Sequence, residues 1–304
     1  MIYVLWAICV LAIFFVMVII IDGTRFVTKE YTIYSPKVTK EYKICLLADL
    51  HNRRYGTDNY KLIAAIRNMN PDFICAAGDM LTARPGKDDK IAVDFFSYLR
   101  EYPVYYSIGN HEYRMKIYPE VYGTAYDEYV TKLKELGVNV LENDHIDICD
   151  ANIRMQGIMI DREYYKRFEN HEMTGEYITE LTKRGEELDD RFDRHVNKNM
   201  YILPLRDPCT IMLAHNPEYF VSYADAGADV VLSGHVHGGI MRLPFVGGVI
   251  SPKLKMFPRF DGGIFTCKRT QMVLSRGLGS HTIPIRIFNP GELVSIVLAP
   301  CKKG

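Results

Sequence analysis

The sequence predicts an α/β fold, parallel strands with helices packed on both faces, carried behind an N-terminal apolar helix. Short apolar runs alternate with amphipathic stretches from residue 43 to residue 233. Residues with oxygen or imidazole side chains follow several of those runs directly. The first residues form an uncharged stretch long enough to cross a bilayer.

That stretch, Ile2 to Ile21, is IYVLWAICVLAIFFVMVIII, twenty residues without a charge. At 1.5 Å per residue it spans roughly 30 Å, the thickness of a bilayer core. A cleaved signal would need a basic start, a shorter apolar region and a small-residue cleavage site, and none is present. Residues 1–21 are therefore read as a transmembrane anchor and 22–42 as a juxtamembrane segment. Arg25, Lys29, Lys37, Lys40 and Lys43 follow the apolar run and no basic residue precedes it. The positive-inside rule then puts the large domain of a single-pass protein in the cytoplasm, with an extracytoplasmic placement as the alternative.

Beyond the anchor, 43–47 reads as a strand and 60–69 as a helix whose Leu62, Ile63 and Ile66 share a face. Asn70-Pro71 ends that helix, and 73–77 is the next strand. A helix at 91–99, a strand at 104–108, a helix at 126–136 stopped by Gly137, and a strand at 138–141 continue the βαβα rhythm. Strands at 153–160, 209–214 and 230–233 and a helix at 217–226 complete it. Residues 162–208 are charged and hold no strand-like run. They read as an insertion with a helix over 176–194, either a cap over the site or a solvated surface helix. Gly- and Pro-rich text beyond 240 suggests a second sheet of antiparallel strands, closing a domain over 43–300.

Lys plus Arg equals Asp plus Glu at 37 each, so overall charge gives no reason to expect a nucleic-acid partner. The seven cysteines show no CxxC spacing. Cys45, Cys75 and Cys209 fall within expected strands, where a thiol acts as a small hydrophobe in a reducing compartment.

The motifs are Asp49-Leu-His51, Gly78-Asp79, Gly109-Asn110-His111-Glu112, Ala214-His215-Asn216-Pro217 and Gly234-His235-Val236-His237. Each follows a short apolar run, and Asp49, Asp79 and Asn110 are spaced by 30 and 31 residues, about one βα unit. They should emerge on one sheet edge, where open α/β sheets bind ligands. The neighbours Gly78, Gly109 and Gly234 should allow tight turns that aim the side chains inward. Hydrolysis of a phosphate ester needs an activated water and neutralised phosphoryl oxygens, which two divalent cations about 3.5–4 Å apart can supply. Carboxylate, carboxamide and imidazole suit such ions, and Mn, Fe, Zn or Mg would all accept this set.

The ordered set D-x-H, G-D, G-N-H-E, H and G-H-x-H resembles the calcineurin-like metallophosphoesterase superfamily over residues 43 to about 299. GHVHGG…RLP, SRGLGSHTIPIR and the N-terminal apolar segment look like its membrane-associated bacterial branch. The resemblance implies a four-layer α/β/β/α sandwich and a binuclear metal-dependent phosphoesterase. It implies that Asp49, His51 and His237 hold one metal, that Asn110, His215 and His235 hold the other, and that Asp79 bridges both. It places His111 beside the scissile group, binding the phosphate or protonating the leaving oxygen. Glu112 would orient a neighbour by hydrogen bonding, and Arg276 and Arg286 are candidates to reach a substrate phosphate.

Two positions depart from the family pattern. Thr82 stands where many relatives carry an acid, and Gly238-Gly239-Ile240 replaces a more polar ending. His145, His171, His195 and His281 lie outside any motif. Related enzymes split the pyrophosphate of a nucleotide-linked lipid, so a lipid-linked or small phosphorylated substrate is expected, as a phosphodiester, phosphomonoester or pyrophosphate. The alternative is a non-catalytic scaffold with the same fold, disfavoured because the whole ligand set and His111 are retained.

Overall fold

The computed structural model describes residues 1–86, 89–166, 171–188, 205–243, 245–251, 256–280 and 285–301. Helix α1 (Ile2–Thr24) is long and apolar enough to cross a membrane, and its apolar window is not buried against the domain. Strand β1 (Phe26–Ser35) follows at once and pairs in parallel with β14 (Gly291–Pro300), from Phe26 opposite Gly291 to Ser35 opposite Pro300. Residues 22–42, read as a juxtamembrane link, thus include a sheet edge. Lys29 and Glu30 in the middle of β1 obscure its strand pattern, and charges of this kind are usual on an edge exposed to water.

The first sheet runs β1, β14, β2 (Tyr42–Leu47), β3 (Phe73–Ala77), β4 (Val104–Ser107) and β5 (Val138–Leu141). Strands β2 to β5 are parallel, and β14 is antiparallel to β2. The second sheet runs β12 (Gly263–Cys267), β13 (Thr270–Leu274), β9 (Val230–Ser233), β8 (Cys209–Ala214), β7 (Ile153–Ile158) and β6 (His145–Ile148). Its inner strands are parallel and its two edges, β12 and β6, antiparallel. A separate hairpin joins β10 (Met241–Leu243) to β11 (Gly247–Ile250).

Alternation along the strands assigns the layers. In β2, Ile44 and Leu46 face the second sheet, meeting Ile211, Leu213, Leu232 and Val273. Cys45 and Leu47 point the other way, onto Leu62 and Ile66 of α2 (Tyr60–Met69) and Phe95 and Phe96 of α3 (Lys90–Ser97). The outer face also receives Tyr129 and Leu133 of α6 (Ala125–Glu135), beyond α4 (Asn110–Ile117) and the single turn α5 (Pro119–Tyr122). Across the molecule, Met212 and Met272 carry Ile178 of α7 (Gly175–Leu188) and Phe220 and Tyr223 of α8 (Phe220–Asp225). Helix, sheet, sheet, helix is the resulting order, and the chain forms the expected α/β sandwich. Cys45, Cys75 and Cys209 are buried free thiols within it.

Two expectations are corrected. Beyond 240 the chain's own antiparallel pairing is limited to the β10–β11 hairpin and the β12–β13 edge: β13 enters the second sheet parallel to β9, and β14 crosses into the first. Strand propensity marks such runs but does not select their neighbours. Helix α7 is not a cap over the site but a surface helix, with Glu176, Glu180, Lys183 and Arg184 exposed. Ile178 is fully buried, and the helix packs beside α8 on the outer face of the second sheet. Residues 189–194 of the expected helix lie outside the described residues.

Candidate metal centre

The carboxyl ends of β2, β3, β4, β8 and β9 deliver the motif residues to one place. Main-chain bonds stitch those ends together: Asp49 N donates to Gly78 O at 3.0 Å, His51 N to Asp79 O at 3.0 Å and Gly234 N to His215 O at 3.1 Å. Asp49, His51, Asp79, His235 and His237 all have left-handed backbones, with φ between 49° and 73°. Such residues are uncommon outside glycine, and clusters of them mark sites whose geometry the surrounding structure enforces.

Glycine supplies the room. Gly78 does adopt positive φ, at 85°, but Gly109 does not; a Cβ there would strike Asp79 Oδ1 and lie 2.6 Å from Asp79 N. Gly234 likewise leaves space for Asp49, whose Oδ2 would sit 2.5 Å from an added Cβ. At these two positions the demand is close approach rather than turn conformation.

The side chains converge on two groups joined by a third, His51, Asp79 and His111. Asp49, His51 and His237 form one, Asp79, His215 and His235 the other, and in each the potential ligand atoms lie within 4.8 Å of one another. His51 Nε2 is 3.3 Å from His237 Nε2, His237 Nε2 is 3.4 Å from Asp49 Oδ1, and His215 Nε2 is 3.1 Å from Asp79 Oδ2. His51 Nε2 stands 3.8 Å from both Asp49 Oδ1 and Asp79 Oδ2, so the groups share a boundary.

Ring orientation separates these histidines by role. His215 Nδ1 lies 2.7 Å from Ala77 O, and His237 Nδ1 3.4 Å from Gly279 O. A carbonyl only accepts, so each Nδ1 carries a proton, and each Nε2 is the atom aimed at the carboxylates, where it would ligate a cation on losing its own proton. His111 is reversed. Its Nδ1 accepts from Ala83 N at 3.0 Å, which leaves the proton on Nε2. Burial holds the His111 ring below the usual imidazole range, against the pull of Asp79.

The donor set fits a cation. Asn110 Oδ1 is buried without a hydrogen-bond partner among the described residues, and Asp79 Oδ2 and His215 Nε2 face only each other, 3.1 Å apart, whereas buried polar atoms in native proteins are normally satisfied. Burial pushes the Asp49 carboxyl up to about 7, against the nearby His215 ring. Asp79 is drawn well below the carboxylate range by His215 despite its own burial.

Glu112 holds the turns behind the ligands. One oxygen accepts from Asp79 N and Gly109 N, each at 3.0 Å. The other accepts from Met80 N at 2.8 Å, Leu81 N at 3.3 Å and the Tyr106 hydroxyl at 2.7 Å. Burial raises its carboxyl to about 7, followed by the Asp79 charge, while Tyr106 opposes. Thr82, where relatives carry an acid, sits 3.4 Å from His51 Nδ1 and 3.3 Å from His51 O.

The two arginines differ in how far the fold engages them. Arg286 is 3% exposed and donates to the carbonyls of Arg276, Gly277, Gly279 and Asn289. Arg276 pairs with the buried carboxylate of Glu292. The Arg286 guanidinium is taken up by main-chain carbonyls, so that residue is corrected from a substrate contact to a brace of the main chain around 276–279 and 289. His145 pairs with Asp147 at 3.8 Å, and the His171 ring meets Tyr164 at 6.0 Å. His195 and His281 lie outside the described residues.

Three contributors carried no sequence signal. The Tyr165 ring, from the start of the insertion, stands edge-on to His235 at 5.3 Å. Asn289 donates from Nδ2 to His237 O at 2.7 Å, and Asp22, at the end of α1, accepts from Asn289 N at 3.0 Å. Only the Asn289-Pro290 dipeptide hinted at a turn there.

Comparison with known proteins agrees with this geometry. The calcineurin-like phosphoesterase profile matches residues 42–239. The chain is 27% identical over 280 residues to an uncharacterized metallophosphoesterase of Campylobacter jejuni, covering 89% of this chain and 62% of that one. It therefore spans about six-tenths of that relative's length. It is 23% identical over 273 residues to the UDP-2,3-diacylglucosamine pyrophosphatase LpxG of Chlamydia muridarum, covering 83% of this chain and 82% of LpxG. A Danio rerio transmembrane protein with a metallophosphoesterase domain is 22% identical over 86% of this chain and 54% of its own length. With two thirds of its length under the profile and the motif side chains gathered at one sheet edge, the chain belongs to the calcineurin-like phosphoesterase family.

Proposed function

We propose that the chain is a membrane-anchored hydrolase that uses two divalent cations to cleave a phosphate ester or pyrophosphate bond. The carrying observation is the convergence of buried carboxylate and imidazole ligand atoms within 4.8 Å of one another, beside a buried Asn110 Oδ1 that has no hydrogen-bond partner among the described residues. Asp49, His51 and His237 would hold one ion and Asn110, His215 and His235 the other, with Asp79 available to both. When bound, the ions activate water and neutralise phosphoryl oxygens.

The protein's own groups do the rest. His111 offers its Nε2 proton to a phosphoryl or leaving oxygen, and the Ala83 amide fixes the ring in that orientation. Glu112 holds the backbone beneath Asp79 and Asn110. The substrate proposed is a nucleotide-linked lipid, supported by the likeness to LpxG and by α1. Basic residues after α1 favour the cytoplasmic side for the domain. Retention of the complete ligand set and His111 disfavours the scaffold alternative.

The test uses the full chain in detergent, stripped by chelator and reloaded with Mn²⁺, Fe²⁺, Zn²⁺ or Mg²⁺. Hydrolysis of a phosphomonoester, a phosphodiester and a nucleotide-linked lipid is followed beside Asp79→Asn and His111→Ala. Metal-restored turnover lost in both variants supports the reading. A folded protein that binds no divalent ion and turns over none of the three overturns it.

A further inference from the structure

The domain carries an apolar surface of its own beside α1. The turn between β10 and β11 exposes Phe245 fully and Val246 by 56%. Phe257 N donates to Val249 O at 2.9 Å, and Met256 bridges Ile250, which brings a second apolar pair alongside. The 285–288 segment lies against β10, with Arg242 N donating to Ile287 O and Ile287 N to Ile240 O, each at 3.0 Å. Leu243, Phe245, Val246, Met256, Phe257 and Phe288 are thus exposed within one connected unit. Elsewhere on the domain the exposed large apolar residues among those described, such as Tyr98, Val121 and Ile264, stand singly. A concentrated apolar surface of this kind marks an interaction face.

The position of Phe288 identifies what covers it. Its ring lies 6.2 Å from Phe14 and 6.5 Å from Phe15. Those residues stand six and seven positions before Ile21, the last of the apolar run, about 9–10 Å along the helix axis. A second tie fixes the same loop nearer the helix end, where buried Asp22 accepts from Asn289 N. If α1 spans a bilayer, Phe288 cannot reach Phe14 without entering the hydrocarbon.

We propose that the unit formed by 241–243, 245–251, 256–257 and 285–290 is immersed in the same leaflet as the C-terminal half of α1, with lipid acyl chains as its partner. The inference rests on the reading of α1 as a membrane span. Asn289, in the immersed loop, bonds the carbonyl of His237. The metal centre is therefore held near headgroup level rather than at the end of a flexible tether.

Trp6 is the chain's single tryptophan, which gives a clean test. The full chain is reconstituted into phosphatidylcholine–phosphatidylglycerol vesicles with or without bromine on the acyl chains. Native Trp6 reports α1; Phe245→Trp and Phe257→Trp, each in a Trp6→Phe background, report the hairpin unit. Unchanged thermal midpoints show that the variants are folded. Immersion predicts several-fold quenching by brominated chains at 245, 257 and Trp6 alike. Quenching of Trp6 with full emission at 245 and 257 overturns the immersion and leaves the anchor standing. Full emission from all three removes the anchor reading and the immersion with it.

Discussion

Replacing Glu112 by glutamine should damage this protein nearly as much as replacing it by alanine. All five groups facing the carboxylate are donors: the amides of Asp79, Met80, Leu81 and Gly109 and the Tyr106 hydroxyl. Each oxygen serves at least two of them. Glutamine keeps the volume but turns one oxygen into an NH₂, so whichever way it lies, two or more donors meet a donor. Hydrogen bonds to a charged group are worth about 1.5–3 kcal/mol each, and losing two gives a cost of about 3 kcal/mol. In a domain of this size that lowers Tm by roughly 6–12 °C. Thermal unfolding of the full chain in detergent and excess chelator measures this apart from any bound metal. Tyr106→Phe removes a single donor and should cost half as much, about 1.5 kcal/mol. Titration calorimetry with Mn²⁺ should show weakened binding in Glu112→Gln, because the turns that aim Asp79 and Asn110 lose their brace. A Glu112→Gln protein within about 2 °C of the parent, binding Mn²⁺ as tightly, would refute the reasoning.

Gly109→Ala should weaken Mn²⁺ binding, measured by the same calorimetry, since the added Cβ collides with the Asp79 carboxylate and the backbone behind it. Arg286→Ala should lower Tm by about 3 kcal/mol in equivalent stability, as its buried carbonyl partners lose their donors. Arg286→Lys should not restore it, because a compact ammonium cannot span them; an unchanged midpoint with a raised KM would return Arg286 to substrate binding. Metal at a hundredfold above Kd should add about 2.7 kcal/mol of stability, seen as a chelator-sensitive rise in Tm. That rise should vanish in Asp79→Asn, and its persistence there would place the ions elsewhere.

Much of the architecture was legible along the chain because strand and helix periods are local. The strands expected at 43–47, 73–77, 138–141, 209–214 and 230–233 lie within β2, β3, β5, β8 and β9. Asp49, Asp79, Asn110, His215, His235 and His237 could be marked because each follows a strand directly and parallel strands share a carboxyl edge. The sequence alone also made the first twenty residues a membrane candidate, since uncharged length is a property of composition. Pairing across the fold was decided only in three dimensions. Nothing in β13 or β14 states which sheet receives it, and charged β1 does not announce an edge. Arg286 looks like a phosphate ligand until the buried carbonyls around it are seen. The tautomers of His215 and His111 depend on the backbone groups of Ala77 and Ala83, 138 and 28 residues away. A side chain's type records what it can do, but its proton, partner and exposure are set by neighbours that only folding brings near.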